Sequence, residues 1–152
     1  MVTTYTVLKT IHVIAVATWV GGGSILITLT ARARRASDHA KVLTLVREIA
    51  WVGPRIFAGS AALALVTGFW MIYNFGWPYD LWIVLGLIGW GVTFVTGNFF
   101  LGPNSKKLEA AIEEKGATDP EALRLTGVLL NVARVDSLVL TLVIVDMVIK
   151  PT

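Results

Sequence analysis

Four stretches of about 20 residues or more run almost without charge: Thr4–Thr30, Arg55–Phe75, Leu81–Leu101 and Thr126–Ile149. A hydrocarbon core about 30 Å thick is crossed by roughly 20 residues of α-helix. Inside it every backbone N–H and C=O must find a partner within the protein. Membrane-spanning strands would be about 10 residues long with alternating polarity, whereas these stretches are longer and continuously apolar. The sequence therefore predicts an all-α, four-helix transmembrane bundle formed by residues 1–152 as a single domain.

Composition agrees. Only 15% of the residues are charged and 55% are hydrophobic, with a mean hydropathy of +0.72, against about 25% charged in soluble domains. Sixteen of the 23 charged residues fall within Arg32–Glu48 and Lys106–Arg124, which excludes an ordinary soluble enzyme. The formal charge is +3 and the pI about 9.5, yet the basic residues flank apolar stretches without interleaved aromatics. Anionic lipid headgroups are thus the expected partner, and nucleic acid is not. Cysteine is absent, which removes disulfides, iron–sulfur ligation and covalent c-type haem. The first stretch is too long for a signal peptide and has no basic segment before Lys9, so it is expected to be a retained span.

Lys and Arg set the expected orientation. The first connection carries Arg32, Arg34, Arg35, Lys41 and Arg47, and the third carries Lys106, Lys107, Lys115 and Arg124, whereas Asn74–Asp80 carries none. Both basic connections should be cytoplasmic and both termini extracytoplasmic, in a multi-pass protein of the bacterial inner membrane. Trp70, Tyr73, Trp77, Tyr79 and Trp82 form the expected outer aromatic belt, and Trp51 belongs to the inner one. Ser37 is expected to cap an amphipathic helix with Val42, Leu45, Val46 and Ile49 on one face. Gly53-Pro54 should break or kink the chain before the second span. The third span should end near Gly102-Pro103, with Asn104-Ser105 capping a short charged helix that stops at Gly116. Thr118-Asp119-Pro120-Glu121 reads as a cap, a first-turn proline and a first-turn acid. Gly21-Gly22-Gly23, Ala58/Ala62, Gly86/Trp90 and Gly89/Gly91/Gly97 offer small patches for helix contact.

Polar groups within spans are the functional candidates. Lys9, His12, Trp19 and Gly23 recur at helical spacing on one face of the first span. A histidine there suits haem ligation, metal binding or proton relay, and equally a hydrogen bond to a neighbouring helix. Counting depth along the helices gives an outer set of Lys9, His12 and Asp146 and an inner set of Arg55, Asn98, Arg134 and Asp136. Ion pairing within each set would neutralise charges that are costly in hydrocarbon. No phosphate loop, zinc motif, nucleophile triad or dinucleotide-binding glycine pattern is present.

Leu8-Lys9-Thr10-Ile11-His12 followed by Thr18-Trp19-Val20-Gly21-Gly22 resembles a pattern shared by several bacterial four-helix membrane families. These are the copper-resistance CopD-type membrane domain, the HemJ-type protoporphyrinogen oxidase, and a family of uncharacterised predicted integral membrane proteins. Thr67-Gly68-Phe69-Trp70, Leu101-Gly102-Pro103 and Asp146-Met147-Val148-Ile149-Lys150-Pro151 are similar to the last of these over the whole chain. The HemJ-type resemblance implies b-type haem on His12, with Lys9 or Asp146 near a propionate and Trp19 against the cofactor. That group also uses a lysine in its third span, and Leu81–Leu101 contains none, so protoporphyrinogen oxidation does not carry over. With no second intramembrane histidine, the iron would be five-coordinate or shared by two His12 residues across a homodimer. Two other expectations stand beside this one: an accessory or assembly subunit of a larger membrane complex, and an oligomeric transporter of protons or small solutes.

Overall fold

The protein is described by a computed structural model covering residues 3–151. It is all-helical, with six α-helices: α1 (Thr4–Arg35), α2 (His39–Val52), α3 (Ala58–Phe75), α4 (Leu81–Val95), α5 (Gly102–Lys115) and α6 (Pro120–Ile149). Local chemistry explains most of the boundaries. The Thr3 hydroxyl accepts the Thr6 N–H at 3.2 Å to start α1. The Asp119 carboxylate accepts the Glu121 N–H at 2.9 Å to start α6, with Pro120 in the first turn. Gly76 (φ 60°) ends α3 and Gly116 (φ 88°) ends α5, both in the left-handed region that glycine enters without a Cβ clash. Asp38, not Ser37, caps α2: its side chain accepts the Lys41 N–H at 3.0 Å, while Ser37 makes the turn with φ 54°.

The Gly-Pro steps do not break the chain. α2 runs into α3 through a π-helical turn, Gly53–Phe57, and α4 runs into α5 through another, Thr96–Leu101. The result is two continuous helices of 37 residues (His39–Phe75) and 35 residues (Leu81–Lys115). Proline has no N–H, and its ring crowds the carbonyl four residues earlier. A wider turn relieves that crowding without ending the helix, and the Ala58 N–H bonds back to Gly53 and the Gly102 N–H to Gly97. Asn104 consequently lies inside α5, where its amide donates to the Phe100 carbonyl at 2.8 Å and caps nothing.

Four helices are thus long and apolar enough to cross a membrane. α1 packs between α3 and α6, and α4 packs against α6. The start of α1 and the end of α6 lie beside the Gly76–Asp80 turn, at what is here called the turn end; the opposite, basic end holds the two charged connections.

The two ends are held together differently. At 1.5 Å per residue, α1 is about 48 Å long and overshoots a hydrocarbon core of about 30 Å. The overshoot is at the basic end, where Val42, Leu45, Val46, Leu108, Ile112 and Leu129 form a cluster of large apolar side chains. Water is nearby there, so burying such groups is favourable. Arg47 reaches Glu109 and Glu113 across α2 and α5, and Lys115 pairs with Glu121 at 3.0 Å. Glu113 above all holds the Arg47 guanidinium above its ordinary pKa, and Glu121 does the same for Lys115. Within the spans, small residues such as Ala15, Ala61, Ala64, Gly86 and Gly89 are buried at the helix contacts beside larger ones such as Met71, Ile83 and Leu140, because lipid is as apolar as leucine and close approach replaces the hydrophobic effect. Ile14, Ile25, Val66, Ile88, Val135 and Leu142 face outward.

At the turn end, Trp77 and Trp82 leave the expected belt and turn inward. Trp77 stacks edge-on to Tyr5 and Trp82 at centroid distances of 5.8 and 5.6 Å, and the Lys150 ammonium lies over both tryptophans at 5.1 and 4.9 Å. Trp70, Tyr73 and Tyr79 remain on the outside.

Candidate functional site

The candidate histidine lies between α1 and α3. His12 Nδ1 is 2.8 Å from the Ala64 carbonyl oxygen and 3.1 Å from the Thr67 hydroxyl. A carbonyl only accepts, so Nδ1 carries the proton and donates it, and in the neutral ring Nε2 keeps the lone pair. Gly68 makes this approach possible: a Cβ there would sit 3.4 Å from His12 Cε1. The histidine of one quoted motif therefore meets the Thr67-Gly68 of another. Ala64, as a backbone acceptor, gives no signal in the sequence.

The other residues expected beside His12 do not gather around it. Lys9 is exposed, with its ammonium 5.9 Å from the Tyr5 ring. Trp19, two turns along α1, lines a cavity that His12 does not reach. Asp146 packs on the α4 side of α6, its Oδ2 3.9 Å from where a Gly86 Cβ would be, and both its oxygens are buried without a partner.

The inner set shares a level but not a site. Arg55 stacks on Trp51 at 4.9 Å and donates to its carbonyl. Asn98 donates to Phe94 at 2.9 Å, and Arg134 donates to Asn131 at 3.3 Å. All three are exposed, and Asn98 also borders a cavity between the spans. Counted from Lys150, Arg134 lies about 24 Å from the turn-end boundary, so its long side chain can snorkel to the headgroups of the basic end. Among the described residues, the expected ion pairs of both sets are absent; every salt bridge lies at the basic end.

Asp136 is the half-buried member of that set. It lines a cavity of about 460 Å³ to which all four spans and both π-helical turns contribute residues. Its Oδ1 is buried without a hydrogen-bond partner. The neighbouring Ser137 hydroxyl meets Ser24 of α1 at 3.1 Å, and the carbonyl of the wall residue Ala61 accepts the Trp90 indole N–H at 2.9 Å. Ser24 and Ser137 escape sequence inspection because a serine in an apolar run has no spacing signature.

The small-residue patches are partly redistributed. Gly22 accommodates the Phe57 ring, Gly86 accommodates Met147 and Gly89 accommodates Val143, whereas Gly21, Gly23, Gly91 and Gly97 face open space. Ala61 and Ala64 are the buried alanines of α3, and Ala62 is exposed.

No group of three or more His, Cys, Asp or Glu side chains among the described residues is arranged to hold a metal ion. No curated protein and no solved structure matches the chain. The family described as predicted integral membrane protein (DUF2269) matches residues 6–151, nearly the whole length. With four helices able to cross a membrane, the chain belongs to this family of predicted integral membrane proteins.

Proposed function

We propose that this protein binds a b-type haem through His12 and takes part in one-electron chemistry in the bacterial inner membrane. The observation that carries the reading is the fixed tautomer of His12: Nδ1 donates to the Ala64 carbonyl, so Nε2 is the basic nitrogen. Metal-ligating histidines hold their other N–H on a carbonyl or carboxylate in this way, which fixes the ring and raises its basicity. Haem, when bound, supplies a single-electron couple whose potential follows its axial ligands and burial.

Lys9, one turn from His12 and exposed, is the cation suited to a propionate. The reading has no use for two of the residues first grouped with His12. Asp146 packs against α4 at Gly86, and Trp19 belongs to the cavity wall. Within one chain His12 is the residue that would hold the iron, and a second copy would bring a second His12.

The test is an absorption spectrum of protein purified from haem-supplemented cells. The wild type should show a Soret band and His12→Ala should lose it, with Lys9→Ala retaining haem more weakly. A colourless wild type that stays colourless on titration with hemin refutes the reading.

A further inference from the structure

The cavity around Asp136 has a chemistry of its own, separate from His12. Its three wall threonines turn their protons back to their own helices: Thr30 to Leu26 at 2.8 Å, Thr93 to Gly89 at 3.0 Å and Thr126 to Ala122 at 2.8 Å. Asn98 donates to Phe94 in the same way. The three hydroxyls therefore offer the cavity lone pairs rather than protons, and the Asn98 amide adds an acceptor oxygen beside its one remaining N–H. Asp136 adds a carboxylate with no ion-pair or hydrogen-bond partner among the described residues. Lys106 is the cation on the wall; it lies on α5, past Pro103 toward the basic end, and forms no salt bridge with Asp136.

Aromatic side chains make up part of the same wall. Trp19, Phe57 and Phe94 line it. Phe57 is held in place against Gly22, where a Cβ would come within 2.8 Å of the ring. Phe94 stacks on Trp90 at 4.7 Å, and Trp90 is itself anchored to Ala61. Such rings stay in place without a ligand, which lowers the ordering cost of binding. Acceptors, aromatic faces and an unpaired carboxylate in an apolar chamber together favour a cation with an apolar body. They disfavour an anion.

The geometry points to this cavity as a binding site for an organic ammonium, its charged nitrogen on Asp136 and its apolar part among Trp19, Phe57 and Phe94. The ammonium belongs either to a free amine or to an aminophospholipid headgroup. Burial of an isolated carboxylate is costly, and a bound cation removes that cost.

The test uses full-length protein in dodecyl maltoside, titrated calorimetrically with phenethylammonium and with its uncharged analogue 2-phenylethanol. The wild type should bind the ammonium at least tenfold more tightly than the alcohol. Asp136→Asn should abolish that preference, and Asp146→Asn and His12→Ala should keep it, so that failure here is distinguishable from failure of the haem reading. Ser137→Phe fills the chamber and should abolish binding of both probes, even if Asp136→Asn cannot be recovered folded. Displacement by added phosphatidylethanolamine assigns the ammonium to a lipid headgroup, and resistance to it assigns a free amine. Equal affinity for the two probes, no binding by the wild type, a preference that survives Asp136→Asn, or binding that survives Ser137→Phe overturns the proposal.

Discussion

Gly86 and Gly89 lie one turn apart on α4, and both face α6, yet they should respond differently to the same substitution. A Cβ at Gly89 would overlap a Val143 methyl, and one at Gly86 would overlap the terminal methyl of Met147. Valine is stiff at χ1 and cannot move aside without shifting its backbone, whereas methionine has three rotatable bonds and can swing its end away. Gly89→Ala should therefore destabilise the bundle by about 1–3 kcal/mol, the usual range for overpacking. Gly86→Ala should stay within about 1 kcal/mol, as the gain in helix propensity offsets a cheap rearrangement. Thermal unfolding in detergent, followed by circular dichroism, reads the difference; equal losses would show that α6 moves as a rigid whole. Much at this scale was legible beforehand. His12, Asp136 and the glycines of α4 stand out because polar or small residues are conspicuous in an apolar span. Their partners do not: Ala64 offers His12 only a backbone oxygen, and whether Gly89 meets a valine or lipid depends on how α4 is rotated. For the same reason Arg134 and Asp136, two residues apart, looked like one cluster until the helix put one outside and the other on the cavity wall.

At the scale of elements, capping was readable wherever the side chain acts on its own backbone. Asp119 bonds the Glu121 and Ala122 N–H groups at 2.9 and 3.4 Å, as the Thr-Asp-Pro-Glu order predicts. No competing acceptor serves those first-turn amides, so Asp119→Ala should cost about 1 kcal/mol. Faster hydrogen exchange should be confined to the first turns of α6; exchange raised along all of α6 would show that the cap holds more than the helix end. The Gly-Pro steps were harder, because the rule that proline interrupts a helix does not specify how. A break leaves several N–H and C=O groups to be satisfied by water or caps, whereas a π-helical turn leaves far fewer. In a chain already confined by packing at both ends, the wider turn is the cheaper distortion. Gly53–Phe57 and Thr96–Leu101 thus mark the same compromise twice, and both border the cavity. The charged stretches adjoining them, α2 before the first and α5 after the second, are therefore continuations of spans rather than separate helices, which is why the basic end packs as a second, water-facing core.

At the scale of the whole molecule, the distribution of charge predicts which end faces the cytoplasm. Nine Lys and Arg residues fall in the first and third connections and none in Asn74–Asp80, and translocating short, cation-rich connections is unfavourable. The same end carries the apolar cluster on α2 and α5 and every salt bridge among the described residues, features that belong in water rather than lipid. The turn end is trimmed to an aromatic cluster around Lys150. Alkaline phosphatase, which is active only outside the cytoplasm, should accordingly be active when fused after Pro151 and inactive when inserted at Ala117. In that orientation the Asp136 cavity lies toward the cytoplasm, and His12, roughly 12 Å along α1 from Thr4, lies toward the outside. A haem on His12 would then exchange electrons with partners on the outer side, while an ammonium would reach Asp136 from the cytoplasmic side, so that the two sites would serve opposite compartments. Activity at Ala117 with none after Pro151 would exchange those compartments, and with them the partners each site could meet.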